Sequence, residues 1–111
     1  MAMISNLTID QGSSFSVDID VSDADGDPLN LSGYSANGHM RKTYSSSTFT
    51  DLNAEIFNDT NGVVRISLTP SQSNAIKAGR YVYDVEITKT ATSEVTRVVE
   101  GQIDVTPGVT R

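Results

Sequence analysis

The 111-residue sequence has no cysteine, no tryptophan, one histidine and three prolines. Without cysteine there is no disulfide framework, no thiolate nucleophile and no cysteine-based zinc site. The fold must therefore be held by its core or by partners. Positive charge is also scarce. Eight Lys and Arg stand against fourteen Asp and Glu, a net charge of −6. This balance argues against nucleic-acid binding, because a grip on phosphates rests on Lys and Arg. The four Tyr and three Phe do not interleave with basic residues, so stacking on single-stranded nucleic acid is disfavoured too. No apolar run approaches the roughly 18 residues of a membrane span, so no membrane contact is expected. The segment Met1–Asn6 lacks the basic and apolar regions of a secretion signal. A lone histidine excludes a His–His metal pair, and the Gly-x-Ser-x-Gly, Gly-x-Gly-x-x-Gly and phosphate-loop patterns are missing. His39, between Gly38 and Met40, reads as an exposed or interface histidine on a strand. These gaps lead us to expect neither an enzyme nor a cofactor.

What the sequence has in quantity is period-two alternation, the pattern of a strand with one buried face. Phe15, Val17, Ile19 and Val21 alternate with Ser16, Asp18, Asp20 and Ser22. Tyr81, Tyr83, Val85 and Ile87 alternate with Arg80, Val82, Asp84 and Glu86. Leu7 and Ile9 make a shorter strand, and Tyr34 to Lys42 alternates weakly, with Ala36 and Gly38 small enough for close packing or a bulge. Phe49 and the run Leu52 to Phe57 predict a short peripheral strand or pair of strands. Asn61-Gly62 is a hairpin turn signal ahead of Val64, Ile66 and Leu68. Val95 to Val105 reads as a long last strand whose apolar positions change phase at Val98-Val99, predicting a bulge or sheet switch near Gly101.

One helix interrupts the strands. Thr69 is placed to cap it, Pro70 suits its first position and Gln72 can reach back to complete a capping box. Gly79 is placed to end the turn in the left-handed conformation, giving a short helix near residues 70–78. About seven strands with regular turn signals and one short helix predict an all-β, immunoglobulin-like β-sandwich. It is expected to be one domain over residues 1–111, with an N-terminal arm at about 1–6 and a C-terminal tail at about 106–111. Tyr81 stands where such folds carry a tyrosine corner, a hydroxyl bonded back to the preceding loop.

One cluster has the composition of a cation site, the run Asp23-Ala24-Asp25-Gly26-Asp27-Pro28. Carboxylates at alternate positions supply several of the six to eight oxygens that calcium takes. An EF-hand loop needs its glycine later and a Glu at its end, whereas Gly26 falls early and Tyr34 stands at the closing position. The competing reading is a hairpin loop, with Asp side chains bonding local amides and Asp-Gly making the turn. Asp23, Asp25 and Asp27 are thus a weak calcium candidate, and no metal site is assigned.

Several segments together resemble small structural proteins of tailed bacteriophages, in particular a group from marine and cyanobacterial phages. They are Leu7-Thr8-Ile9-Asp10-Gln11-Gly12, Asp27-Pro28-Leu29-Asn30-Leu31-Ser32-Gly33-Tyr34, Met40-Arg41-Lys42, Leu68-Thr69-Pro70, Ala78-Gly79-Arg80-Tyr81-Val82-Tyr83-Asp84-Val85-Glu86 and Glu100-Gly101. The same order is similar to the immunoglobulin-like N-terminal domain of phage baseplate upper proteins. The resemblance implies a non-enzymatic virion protein that binds other virion proteins of the capsid, neck, tail or baseplate. It also implies many copies in a symmetric assembly, put together in the host cytoplasm. Baseplate upper proteins carry further domains after the sandwich, while this sequence ends just past its last strand. That favours a decoration or cement protein, or a component of the neck or baseplate. The alternative is a calcium-stabilised, adhesin-like immunoglobulin-fold module, because Asp25-Gly26-Asp27-Pro28-Leu29 also looks like loops of bacterial cadherin-like repeats.

Overall fold

The computed structural model describes residues 3–109 and sets them in two facing sheets. In the larger sheet, β1 (Met3–Ile4) and β2 (Leu7–Asp10) both run parallel to the last strand, β9 (Glu94–Thr106). β9 pairs antiparallel with β8 (Gly79–Lys89), β8 with β4 (Tyr34–Arg41), and β4 with β5 (Thr50–Asp51). The smaller sheet holds β3 (Phe15–Asp20), β7 (Val63–Leu68) and β6 (Glu55–Asn58), in the order β3-β7-β6. The architecture is an all-β, immunoglobulin-like sandwich. Seven strands of four residues or more correspond to those read from the alternation, and the two-residue β1 and β5 are additional. β1 also corrects the expected N-terminal arm, since Met3 and Ile4 are paired with Val99 and Glu100 rather than leaving the sheet. At the other end β9 runs to Thr106, and the Gly108 amide donates to Gln11 Oε1 at 3.1 Å. Met1, Ala2, Thr110 and Arg111 lie outside the described residues.

The alternating apolar positions meet between the sheets. Ile9, Met40, Leu52, Val64, Ile66, Val85, Val99 and Ile103 are each no more than 1% exposed. Burying such a side chain is worth about 1.5–3 kcal/mol relative to leaving it in water, so these positions hold the two layers together. Gly38 works as close packing, not as a bulge: a Cβ there would crowd the Leu52 side chain. Leu52 is also where the chain changes sheets. Its amide donates to the Gly38 carbonyl at 2.9 Å, and its carbonyl accepts from the Ser67 amide at 2.9 Å, tying β4 to β7. One side of the sandwich is thereby closed, with Asn53 at a φ of 53° making the crossing.

The helix α1 (Pro70–Asn74) starts as expected. The Thr69 hydroxyl accepts from the Gln72 amide at 3.2 Å, and Gln72 Oε1 accepts from the Thr69 amide at 2.9 Å. Its end differs. The helix stops at Asn74 with Ala75 as a right-handed cap, so Gly79 does not terminate it. Gly79 instead opens β8 at a φ of 146°, outside the left-handed helical region. The intervening residues are held from outside the helix. Buried Ser73 donates from Oγ to the Ser13 carbonyl at 2.7 Å and accepts from the Gly12 amide at 3.1 Å. Gln11 Nε2 donates to the Ile76 carbonyl at 2.7 Å. These bonds to the β2–β3 turn satisfy the last turn locally, so it has no use for a terminating glycine.

The predicted bulge in β9 is three residues before Gly101. Val85 pairs with Val99 and Glu86 with Arg97, leaving Val98 as the extra residue. Gly101 serves a different purpose. The chain passes from β1 to β2 over it, and a methyl group on Gly101 would run into the Ser5 carbonyl. That carbonyl accepts from the Tyr83 hydroxyl at 2.6 Å, and Asn6 Oδ1 accepts from the Gln102 amide at 3.1 Å. Burial pushes the Tyr83 phenol above its ordinary pKa. Tyr81 makes the corner contact, donating to the Lys77 carbonyl at 2.7 Å.

These contacts lead to ordered stability losses, checked by urea unfolding. Gly101→Ala is expected to cost about 2 kcal/mol or more, because the backbone of Ser5 must move. Tyr83→Phe is expected to cost about 1 kcal/mol, the worth of a buried hydrogen bond. Tyr81→Phe costs less, since the exposed Lys77 lets water replace the lost hydroxyl.

Candidate functional site

The Asp23–Asp27 segment is a self-contained turn. Asp23 Oδ1 accepts from the amides of Asp25 at 2.9 Å and Asp27 at 3.0 Å. The Asp23 amide donates to the Asp27 carbonyl at 2.8 Å, and Gly26, at a φ of 86°, donates to the Asp23 carbonyl at 3.0 Å. The carboxylate that would lead a cation site is thus bound to its own loop. Among the described residues no three His, Asp or Glu side chains gather as a metal-holding group. The other positions singled out in the sequence, Thr69, Gln72, Gly79 and Tyr81, cluster around the helix and the start of β8 and serve the fold.

The exposed face of the larger sheet holds a second arrangement, missed by the alternation. His39 on β4 stacks on Phe49, with ring centroids 3.9 Å apart and planes 20° from parallel. The Arg41 guanidinium lies over the same ring, 5.0 Å from its centroid. Arg41 Nη1 also donates to the Ser46 carbonyl at 2.8 Å. Ser46 Oγ accepts from the Thr43 amide at 3.1 Å and its amide donates to the Thr43 carbonyl at 3.2 Å, which folds the β4–β5 loop back on itself. Tyr44 stands on that loop, 86% exposed. Beside it lies a groove of about 310 Å³, floored by Val82 and Asp84 of β8 and walled by Arg97 and Glu100 of β9. Arg97 is held there by Asp84 at 3.3 Å and Glu100 at 3.0 Å. Phe49 was legible only as a lone aromatic in the polar run Ser45-Ser46-Ser47-Thr48. Its stacking partners come from β4, and no spacing in the sequence announces them.

The outer face of the smaller sheet has its own charged centre. Arg65 grips Asp18 with two bonds, Nε to Oδ1 at 2.6 Å and Nη2 to Oδ2 at 3.1 Å. Its guanidinium covers the Phe57 ring at 3.4 Å from the centroid. A register shift between Ile56 and Asn58 makes Phe57 the extra residue of β6. The Arg65 hydrogen bonds hold the Asp18 carboxyl below its ordinary pKa. Neither outer face holds a nucleophile–base pair or an enclosed cleft. What they present is rigid aromatic and Arg side chains, the types that dominate protein–protein hot spots.

No protein-family model matches the sequence, and no curated protein matches it. Solved structures do share the fold. The N-terminal domain of phage TP901-1 ORF48 aligns over 91% of this chain and 84% of that one, with a TM-score of 0.59 and 11% identity. The Lin-41 filamin domain aligns over the same shares with a TM-score of 0.52 and 19% identity. Listeria monocytogenes InlP aligns over 95% of this chain and 28% of its own, with a TM-score of 0.51 and 14% identity. At these identities the likeness is one of fold. It includes a phage domain, and it does not extend to marine or cyanobacterial phages in particular.

Two outcomes follow from the site geometry. Adding calcium or a chelator is expected to leave the melting temperature unchanged; a calcium-dependent rise would return Asp23, Asp25 and Asp27 to the status of ligands. The Asp18–Arg65 pair is expected to give an acid-labile contribution. Because the folded-state pKa of Asp18 is depressed, its contribution is present above the unfolded carboxyl's pKa and lost as pH falls through the folded value. Asp18→Asn should therefore lower stability at neutral pH and match the parent once both are below about pH 3. A difference of constant size across that range would show that the charge plays no part.

Proposed function

We propose that this chain is a non-enzymatic structural protein of a tailed-phage virion, assembled in the bacterial cytoplasm and bound to other virion proteins. The observation that carries the reading is the fold shared with the N-terminal domain of phage TP901-1 ORF48 along 91% of the chain. The segment resemblance to phage structural proteins supports it, spanning the strands from β2 to β9. The surface supports it as well. The Phe49–His39–Arg41 stack and the exposed Tyr44 form a preorganised contact patch, and rigid aromatics bind at small entropic cost. In this reading the patch seats a neighbouring virion protein and repeats with the symmetry of the particle.

The test is the copy number of the chain in purified particles, measured by quantitative mass spectrometry against the major capsid protein. Hundreds of copies place it on a head or tail lattice, and about three to a dozen place it at a neck or baseplate ring. Complete absence overturns the reading. Phe49→Ala is expected to keep the fold, since Phe49 is 49% exposed, while lowering incorporation severalfold. Normal incorporation would move the contact to another face.

A further inference from the structure

The two sides of the sandwich are unlike. Leu52 closes one side by bonding to both sheets. On the other side β2 pairs with β9 and leaves β3 as a bare edge of the smaller sheet. The orientation of that edge follows from its ends. The Val21 amide donates to the Gly62 carbonyl at 2.7 Å and the Val21 carbonyl accepts from Leu29 at 2.9 Å, both on the β7 side. Backbone direction alternates along a strand, so Phe15, Val17 and Ile19 bond β7. Ser16, Asp18 and Asp20 turn their amides and carbonyls outward. The match on β7 agrees: the Ser67 amide points away to Leu52, which leaves Ile66 facing Val17. The loop returning through Leu29 and Leu31 lies on the β7 side and does not cover the edge.

A furrow runs along this edge between the sheets. One part, about 360 Å³, is lined by Met3, Leu7, Val17 and Val99, and the next, about 280 Å³, by Val21, Leu29 and Val98. Met3, Asp20 and Ser22 line both parts, and Met3 is 52% exposed. An apolar furrow beside a row of unpaired backbone groups is the geometry that receives an extended strand, with main-chain bonds for affinity and alternate side chains in the furrow. Charge sets the occupant. Asp18 and Asp20 lie on the edge and the Asp23–Asp27 turn at its end, in a chain of net charge −6. The nearest cations, Arg65 and Arg97, are already paired with carboxylates. A second copy is disfavoured, because antiparallel self-pairing centred on Asp18 sets that carboxylate against its own twin.

We propose that the open edge of β3 accepts an extended segment of a partner protein, alternating apolar and basic side chains, as a fourth strand of the smaller sheet. The apolar residues fill the furrow over Met3, Leu7 and Val17, and the basic ones meet Asp18 and Asp20. This inference does not depend on the virion reading, and its test uses the purified chain alone.

The probes are capped peptides of about seven residues, one alternating Lys and Val and one alternating Glu and Val. Binding is followed by amide hydrogen exchange and nitrogen–proton spectra. The Lys peptide is expected to protect the amides of Ser16, Asp18 and Asp20, and the Glu peptide to leave them unprotected. Ser16→Pro removes an outward donor without touching the β7 ladder and is expected to abolish binding. Asp20→Lys is expected to weaken the Lys peptide about fivefold and to strengthen the Glu peptide; it is exposed and preserves the fold should the proline variant not fold. Protection of another edge, equal binding of the two peptides, or no binding at about 1 mM peptide overturns the proposal.

Discussion

The pairing of the first strands with the last one governs the rest of this structure. β1 and β2 run parallel to β9 instead of joining β3. The junction between them is a backbone contact, the Ser5 carbonyl lying over Gly101 and capped by the Tyr83 hydroxyl. Any side chain at position 101 obstructs it. Any loss at Tyr83 strips the carbonyl of a partner in a site where burial makes an unmet polar group costly. The two ends of the chain are thereby zipped together across nearly its whole length. Covalent staples are absent, and this closure is the longest-range constraint that replaces them.

That closure decides which surfaces are left over. A first strand spent on β9 builds the larger sheet to six strands and leaves the smaller one with three. The smaller sheet then has a free edge at β3, and natural edges of this kind carry charge to deter unwanted pairing. Asp18 and Asp20 do that for self-association. The same carboxylates favour a basic strand, so deterrence and selectivity come from one pair of residues. Asp18 is the more restrained of the two, because Arg65 holds it in a bidentate grip and lowers its pKa. Asp20 carries most of the free charge of the edge.

The strands were legible because burial on one face imposes a period of two, and that signal survives in single residues. Phe15 to Val21 and Tyr81 to Ile87 face the core as their alternation requires. The capping box at Thr69 and Gln72 was legible for a similar reason, since its chemistry is local. Distances in sequence defeated the rest. Gly79 was read as a helix stop, but the helix end is satisfied by Ser73 and Gln11 reaching the β2–β3 turn, about sixty residues away in the chain. The phase change at Val98-Val99 correctly marked a disturbance, while Gly101 nearby owes its identity to Ser5, a residue from the opposite end. Parallel pairing of β1 and β2 with β9 has no local signature at all.

The candidate contact surfaces show the same division. The Asp23–Asp27 run has the composition of a cation loop, yet composition cannot say where lone pairs point. Here those of Asp23 point at the amides of Asp25 and Asp27, and the turn is complete without an ion. Phe49 has the opposite history. In sequence it is one aromatic in a serine-rich stretch, and only the pairing of β4 with β5 brings His39 against its face and Arg41 above it. A side chain so fixed loses little entropy on binding, whereas a free aromatic on a mobile loop would lose more. The order of Thr43, Ser46 and Arg41 in the loop hydrogen bonds is therefore part of the surface's chemistry as much as the ring itself. For an all-β domain without a catalytic set on its faces, that preorganisation is where recognition has to reside.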